Sequence, residues 1–281
     1  MKNKLLITAT VVAFFGVNSL NAQINLGDRA LGAIANGIKG FTFSDEDAAK
    51  IAADAIVKMD KENPIADAKD PYTIRLNRVF GKHASEGGLK LNFKVYKVKD
   101  VNAFACADGS VRVFAGLMDI MDDNELLAVI GHEIGHVANH DSRDGMKAAY
   151  KKAALIDAVS SQSNKVAVLT DSQLGQIGSA MLDSRHTRTQ ESDADTFSYD
   201  FMKRNGYNVN AVESAFNILT TLSSGADADF LSKMMASHPD AKERAATAKA
   251  RAEADGLYKP YVKQVKGATK TTTKKVVKKK K

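Results

Sequence analysis

Residues 132–136 form the pattern in this sequence that is best suited to chemistry. The segment reads His132-Glu133-Ile134-Gly135-His136. Inside an α-helix, two imidazoles four residues apart project from one face about one turn from each other, so both can reach one metal ion. Glu133 then lies beside the first histidine, near enough to take a proton from water that the ion activates. The pattern predicts a metal-dependent hydrolytic site.

A catalytic zinc site has three protein ligands, so another residue must complete the set. The best candidate is Glu191, which opens a later predicted helix together with Asp195. The two carboxylates lie four residues apart on one helix face, so one can bind metal while the other accepts a hydrogen bond from a ligating imidazole. Taken alone, they would more simply stabilise a helix N-terminus. The histidine motif favours the metal site, and a single cysteine, Cys106, excludes a multi-cysteine site.

The histidine motif must lie on a helix for this chemistry to work. A helix is predicted from a cap at Asp123 or Asn124, because apolar side chains recur through the motif at helical spacing and give one buried face. These side chains are Leu126, Leu127, Ile130, Ile134 and Val137. The predicted helix therefore supports the metal-site interpretation of the motif.

The remaining elements are one small β region and several helices. Residues 91–95 alternate between apolar and polar, and two apolar runs, 101–106 and 110–115, flank Asp108-Gly109, a strong hairpin signal. Helical periodicity predicts further helices at 44–62, near 144–159, and at 171–183, 191–205, 209–223 and 240–255. The predicted fold class is α+β and predominantly helical, with a small β-sheet beside the zinc-binding helix.

The two termini differ from the body in composition. Residues 1–22 combine a basic start with a 13-residue apolar stretch, which predicts a signal peptide cleaved near Ala22 and export to the periplasm or beyond. An uncleaved anchor is the alternative. Of the 40 basic residues, two lie in the first four positions and ten lysines lie in 259–281, leaving 28 against 33 acidic residues. We expect a single domain over 23–258 and a disordered Lys-rich tail over 259–281.

The motifs together resemble zinc metallopeptidase family forty-eight, which includes the HtpX membrane protease and the CAAX prenyl endopeptidase. The helix at 125–131 leads into the histidine motif, and Glu191 is followed by Ala194-Asp195. Later matches are Gly206-Tyr207-Asn208 and Ser237-His238-Pro239, with Arg244 five residues beyond the proline, so that the resemblance covers about residues 70–250. No later apolar segment reaches membrane-spanning length, so the chain resembles the soluble exported branch of the family.

The resemblance implies a zincin-like fold with one Zn²⁺ per chain. By this resemblance, His132, His136 and Glu191 are metal ligands and Glu133 is the catalytic base, while Asp195 supports a ligand from the second layer of residues. His238 is a further catalytic candidate, either as a gating fourth ligand or as a group that stabilises the oxyanion, with an ordinary loop as the alternative. Arg244 is a catalytic candidate for ordering the site, and a solvated arginine is the alternative. His140 is expected to neutralise a helix C-terminus.

The predicted function is an exported zinc endopeptidase that hydrolyses unfolded or misfolded proteins, which makes proteins and peptides its partners. We expect an extended substrate to pair with an edge strand beside the zinc helix, with 110–115 as the candidate. The alternative is a chaperone-like binding protein whose protease activity is lost or shielded by the His238 loop. The acidic body argues against nucleic-acid binding, and the basic tail predicts contact with an anionic envelope surface.

Overall fold

The computed structural model describes residues 43–156, 169–183, 185–223 and 228–264, all within the unit Thr42–Lys281. The predicted signal peptide and the tail beyond residue 264 lie outside the described residues. The helices of the described part are α1 Asp45–Glu62, α2 Pro71–Phe80, α3 Ala115–Ile120, α4 Asp123–Ala138, α5 Asp141–Ile156, α6 Asp171–Leu182, α7 Arg188–Arg204, α8 Asn210–Ser223, α9 Ala228–Ser237 and α10 Ala241–Ala254. The predominantly helical α+β class is confirmed.

Five short strands make up two sheets. A two-stranded sheet pairs β1 Ser85–Glu86 with β2 Leu89–Lys90, and a three-stranded sheet has the order β3 Asn92–Tyr96, β5 Ser110–Phe114, β4 Ala103–Ala105. The predicted hairpin is confirmed, because β4 and β5 pair antiparallel across its turn. Gly109 closes that turn with φ +84, and a Cβ there would lie 2.2 Å from the carbonyl oxygen of Lys90, so the turn requires glycine.

The order of the larger sheet corrects one prediction. Strand β5 pairs with β3 in parallel on one side and with β4 on the other, so residues 110–115 are not an edge strand. The parallel β3–β5 pairing joins segments that are not adjacent in the sequence, and no local sequence pattern predicts it. Within the described residues the exposed edge beside α4 belongs to β4, which packs against that helix.

Helix α4 runs through the centre of the core and packs most extensively against α7. Its start is fixed by a capping box, in which Asp122 accepts hydrogen bonds from the backbone of Asn124 and Glu125 and the Glu125 carboxylate accepts one from Asp122. Gly135 permits the close approach of α7, because a Cβ there would lie 3.0 Å from the backbone of Ala194. The two elements that carry the histidine motif and Glu191 are thus held in direct contact.

Helix α1 is joined to the sheet by a buried ion pair. Arg112 on β5 is 1% exposed and donates through Nε and Nη2 to the Asp60 carboxylate at 2.8 and 3.0 Å. Tyr96 and Lys94 on β3 also donate to Asp60, at 2.8 and 2.6 Å. This bidentate pair with two further donors satisfies the buried guanidinium and fixes α1 against the sheet.

The chain segment after α10 packs back onto the start of α4. The Tyr261 hydroxyl donates to the Asp122 carboxylate at 2.7 Å, and the Gln264 backbone N–H donates to the same group at 2.7 Å. The backbone N–H of Lys259 donates to Asn210. Residues 259–264 therefore belong to the folded body, which corrects the predicted boundary at residue 258. No helix within the described ranges is long and apolar enough to cross a bilayer.

Candidate metal centre

Four buried side chains converge between α4, α7 and the loop after α9. Their ligand atoms all lie within 4.8 Å of one another, and they belong to His132, His136, Glu191 and His238. The Nε2 atoms of His132 and His136 are 3.0 Å apart, and His136 Nε2 lies 3.3 Å from Glu191 Oε1. Zinc and similar ions bind in proteins to sets of this kind, in which two imidazole nitrogens and a carboxylate oxygen converge on one position. The residues present therefore fit a metal ion.

Each histidine of the motif is oriented by a carboxylate on its other nitrogen. His132 Nδ1 lies 2.8 Å from Asp195 Oδ1, and His136 Nδ1 lies 2.9 Å from Asp141 Oδ2. Contact with a carboxylate through Nδ1 directs the Nε2 of each ring into the cluster, which is how metal-ligating histidines are oriented. The sequence predicts the Asp195 contact. It gives no indication of Asp141, which follows a chain reversal at His140, where φ is +65.

Arg244 on α10 connects two of these carboxylates. Its Nε and Nη2 donate to Asp195 at 2.8 and 2.6 Å, and its Nη1 forms an ion pair with Glu191. The guanidinium is 4.2 Å above the ring of Phe216, and the residue is only 8% exposed. Arg244 is therefore buried against the cluster and is not a solvated arginine.

His238 lies inside the cluster. Its Nδ1 is 3.0 Å from Glu191 Oε1, and its Nε2 is 3.6 Å from Glu133 Oε1. The residue is buried, and its backbone N–H donates to Met234 at the end of α9. The ring thus reaches both a predicted metal ligand and the predicted base, whereas an ordinary loop histidine would not.

Glu133 is buried beside the cluster and lines a cleft. Burial raises the pKa of its carboxyl group, and among the described residues Glu133 Oε1 has no hydrogen-bond donor. Edge strand β4, Ser142 on α5 and His186 line the same cleft. A buried carboxyl group with a raised pKa that lines a cleft is suited to accept and return a proton.

His186 is a residue of the site that the sequence analysis missed. Its ring stacks on that of His136, with centroids 3.7 Å apart and planes at 14°, and it also lies 5.2 Å from the ring of His238. Its backbone N–H donates to the Ser237 carbonyl. The sequence offers only a lone histidine in a connection between helices, so the stacking follows from tertiary packing alone.

The surroundings of the two motif histidines shift their pKa values in opposite directions. Burial and the nearby Arg244 hold the pKa of His132 well below its usual range, so this imidazole is neutral. Burial alone would also lower the pKa of His136, but hydrogen bonds with Asp141 and Glu191 outweigh it and raise the pKa to about 9. A metal ion binding at His136 must therefore displace a proton.

Other residues singled out in the sequence lie away from this chemistry. His140 is half exposed, with Nδ1 3.2 Å from Asp45 Oδ1, and therefore pairs with α1 and does not reach the metal cluster. Cys106 is buried as expected, and burial raises the pKa of its thiol. His83 Nε2 lies 2.6 Å from the hydroxyl of Tyr207.

Comparison with known proteins decides the family. The model of peptidase family M48 matches residues 73–252, which include every residue of the cluster. The chain belongs to peptidase family M48. It is 38% identical to Metalloprotease YcaL of Escherichia coli over 87% of this chain and 96% of that protein. It is 36% identical to Metalloprotease LoiP of the same organism, over 92% of this chain and all of that protein.

Membership in this family makes the chain a metallopeptidase. Protease HtpX of Acinetobacter baylyi is a more distant relative, 32% identical over 49% of this chain and 47% of that protein. The zincin-like fold implied by the sequence resemblance is confirmed by the family match together with the helical architecture and the His/Glu cluster. Helix α1 and the segment after residue 252 lie outside the matched range.

Proposed function

We propose that this metallopeptidase binds one Zn²⁺ through His132, His136 and Glu191. The observation that carries the proposal is the convergence of two Nε2 atoms and a carboxylate oxygen beside the cleft that Glu133 lines. Soft thiolate ligands play no part, and a His₂Glu set with an open position is typical of zinc peptidases. Asp195, Asp141 and Arg244 keep the ligands oriented.

In this proposal Glu133 moves the proton of the reaction. Bound Zn²⁺ would supply a Lewis acid that polarises the peptide carbonyl and acidifies water. Glu133 takes a proton from the attacking water on a carboxylate oxygen and returns it to the nitrogen of the leaving amine. Its raised pKa makes the protonated intermediate form less costly than it would be for an exposed glutamate.

The substrate we propose is an unfolded or extended polypeptide. Among the described residues no strand pairs with the cleft side of β4, and a strand added there would bring a peptide bond alongside the metal ligands. Backbone pairing needs an extended chain and recognises little sequence. We expect reduced, denatured substrate proteins to be cleaved at least about tenfold faster than their native forms. Equal rates on both forms would contradict this substrate class.

His238 has two possible roles, and they predict opposite outcomes. If His238 is a fourth ligand that shields the metal, the His238→Ala variant should cleave a short peptide at a higher initial rate than wild type. As a group that stabilises the oxyanion, the same variant would lower the rate about 10²-fold. Shielding of the metal by His238 is also the basis of the second candidate function, a chaperone-like protein with suppressed protease activity. The proximity of the His238 ring to Glu191 favours this candidate. A metal-loaded protein that binds denatured chains without cleaving them would establish that alternative.

We further propose that the chain is exported and that its basic tail contacts an anionic envelope surface. Residues 1–22 have the composition of a signal peptide, and ten lysines without an acidic residue lie in 259–281. Co-sedimentation with vesicles containing anionic lipid should fall as salt rises and should be lost when 265–281 are removed. Binding that is insensitive to both changes would refute the tail proposal, and a mature N-terminus at Met1 would refute cleavage.

A further inference from the structure

His186 lies between His136, a proposed metal ligand, and the loop that carries His238. Its ring is stacked on that of His136, with centroids 3.7 Å apart and planes at 14°, and it lies 5.2 Å from the ring of His238 with planes at 26°. The residue is half-buried in the wall of the cleft that Glu133 lines. His186 therefore packs against two residues of the cluster without belonging to the three proposed ligands.

The backbone also joins His186 to the His238 loop. The N–H of His186 donates to the carbonyl oxygen of Ser237, the last residue of α9, at 3.2 Å. The next residue is His238, whose Nδ1 lies 3.0 Å from Glu191 Oε1. A movement that took His238 away from Glu191 would break the Ser237 hydrogen bond unless His186 moved with the loop. Because His186 is stacked on His136, such a movement would also disturb that ligand.

The ring of His186 contributes contact area to the cluster and no hydrogen bond. Its two ring nitrogens have no hydrogen-bond partner in the part of the chain that the structure describes. Asp141 holds one edge of the His136 ring at Nδ1, and His186 covers one face of the same ring. A metal ligand binds well only while its ring stays correctly oriented, and stacked aromatic rings attract one another. The stack therefore supports the orientation that Asp141 sets.

A second metal ion is the alternative explanation of this arrangement. Ligand atoms of His136, Asp141 and His186 lie within 4.8 Å of one another. An imidazole nitrogen binds a metal through a lone pair in the plane of its ring. Two nearly parallel rings that are stacked face to face cannot both direct such lone pairs at one ion. The stacking geometry therefore favours a positioning role for His186 over a second metal site.

We propose that His186 is a positioning residue that couples the metal ligand His136 to the loop that carries His238. This inference rests on the proposed function, since it takes His136 as a zinc ligand. With the stack in place, one face of His136 is held and the His238 loop stays closed over the cluster. Removal of the ring frees both, so that zinc leaves faster. Supporting contacts around metal ligands are worth about 10- to 100-fold in metal affinity, and for a stacked ring we expect the lower end of this range.

The test is the rate at which zinc passes from the zinc-loaded full chain to an excess of a chromogenic chelator. Wild type is compared with His186→Ala, His186→Phe and a control, Arg185→Ala, which changes an exposed residue of the same segment. His186→Ala should release zinc about tenfold faster than wild type, and Arg185→Ala should release it at the wild-type rate. Phenylalanine can stack but can neither bind metal nor donate a hydrogen bond, so His186→Phe should restore release to within about threefold of wild type.

The connection to the loop is tested by combining His186→Ala with His238→Ala. The double variant should release zinc about as fast as the faster of the two single variants, because the loop that His186 no longer holds has already moved away from the metal. Rate increases that multiply in the double variant would overturn the coupling.

The outcomes separate this inference from the proposed function. If wild type holds zinc and His186→Ala releases it at the wild-type rate, the positioning role is wrong while the zinc assignment stands. A His186→Phe variant that releases zinc as fast as His186→Ala would overturn the stacking argument. If His186→Phe keeps its zinc but cleaves a short peptide at least about tenfold more slowly than wild type, His186 contacts the substrate and the proposal is wrong. A wild-type protein that binds no zinc would refute the proposed function and this inference together.

Discussion

The ion pair between Asp60 and Arg112 should make the stability of the protein depend on pH in a defined way. Burial alone would raise the pKa of Asp60, but hydrogen bonds from Arg112, Lys94 and Tyr96 lower it from 3.8 to about 2. At about 1.4 kcal/mol per pH unit, this difference corresponds to about 2 kcal/mol of stability. Because the folded-state pKa lies below the unfolded one, that contribution is complete above about pH 4 and is lost as pH falls through about 2.

Asp60→Asn removes this titration. At pH 7 the variant should have a free energy of unfolding about 2 kcal/mol or more below wild type, since the buried Arg112 also loses its counter-charge. Urea unfolding followed by circular dichroism at several pH values would measure the gap, which should narrow towards pH 2. The control Asp54→Asn removes an exposed carboxylate from the same helix. A gap that stays constant from pH 7 to pH 2, or one no larger than in the control, would refute the reasoning.

Three further predictions concern helix α4 and the residues that contact it. Asp141→Asn should weaken zinc affinity about 10- to 100-fold, because Asp141 orients His136; unchanged affinity in a competition titration would exclude this role. Since the pKa of His136 is about 9 without metal, apparent zinc affinity should rise about tenfold per pH unit between pH 6 and 8, and a flat profile would contradict it. Tyr261→Phe should lower the free energy of unfolding by about 1.5 to 3 kcal/mol through the lost hydrogen bond to Asp122. Tyr258→Phe, whose hydroxyl has no hydrogen bond among the described residues, is the matched control and should change it less.

Local patterns predicted most of the elements. The helix that carries the histidine motif, the hairpin at Asp108-Gly109 and the later helices all appear within a few residues of their predicted positions. These features depend on periodicity, caps and turn residues that lie close together in the chain. The contact between Asp195 and a motif histidine was also predicted from local spacing, because Glu191 and Asp195 share a helix face.

The remaining features depend on packing between distant segments. The parallel pairing that makes β5 a central strand joins residues 92–96 to 110–114, and no periodicity encodes it. Asp141 reaches His136 only because the chain reverses at His140, and His186 reaches the same imidazole through the packing of the loop before α7. The Asp60 network likewise joins α1 to the larger sheet, whose first strand begins 32 residues after Asp60.

The central claim is that a metal held by His132, His136 and Glu191 works together with Glu133 as the base. The most direct test measures zinc content and peptide cleavage on the same preparations of wild type and Glu133→Gln. We predict one zinc per chain in both proteins and a rate about 10² to 10⁴-fold lower in the variant. A wild-type protein without zinc, or a Glu133→Gln variant that cleaves at the wild-type rate, would contradict the account.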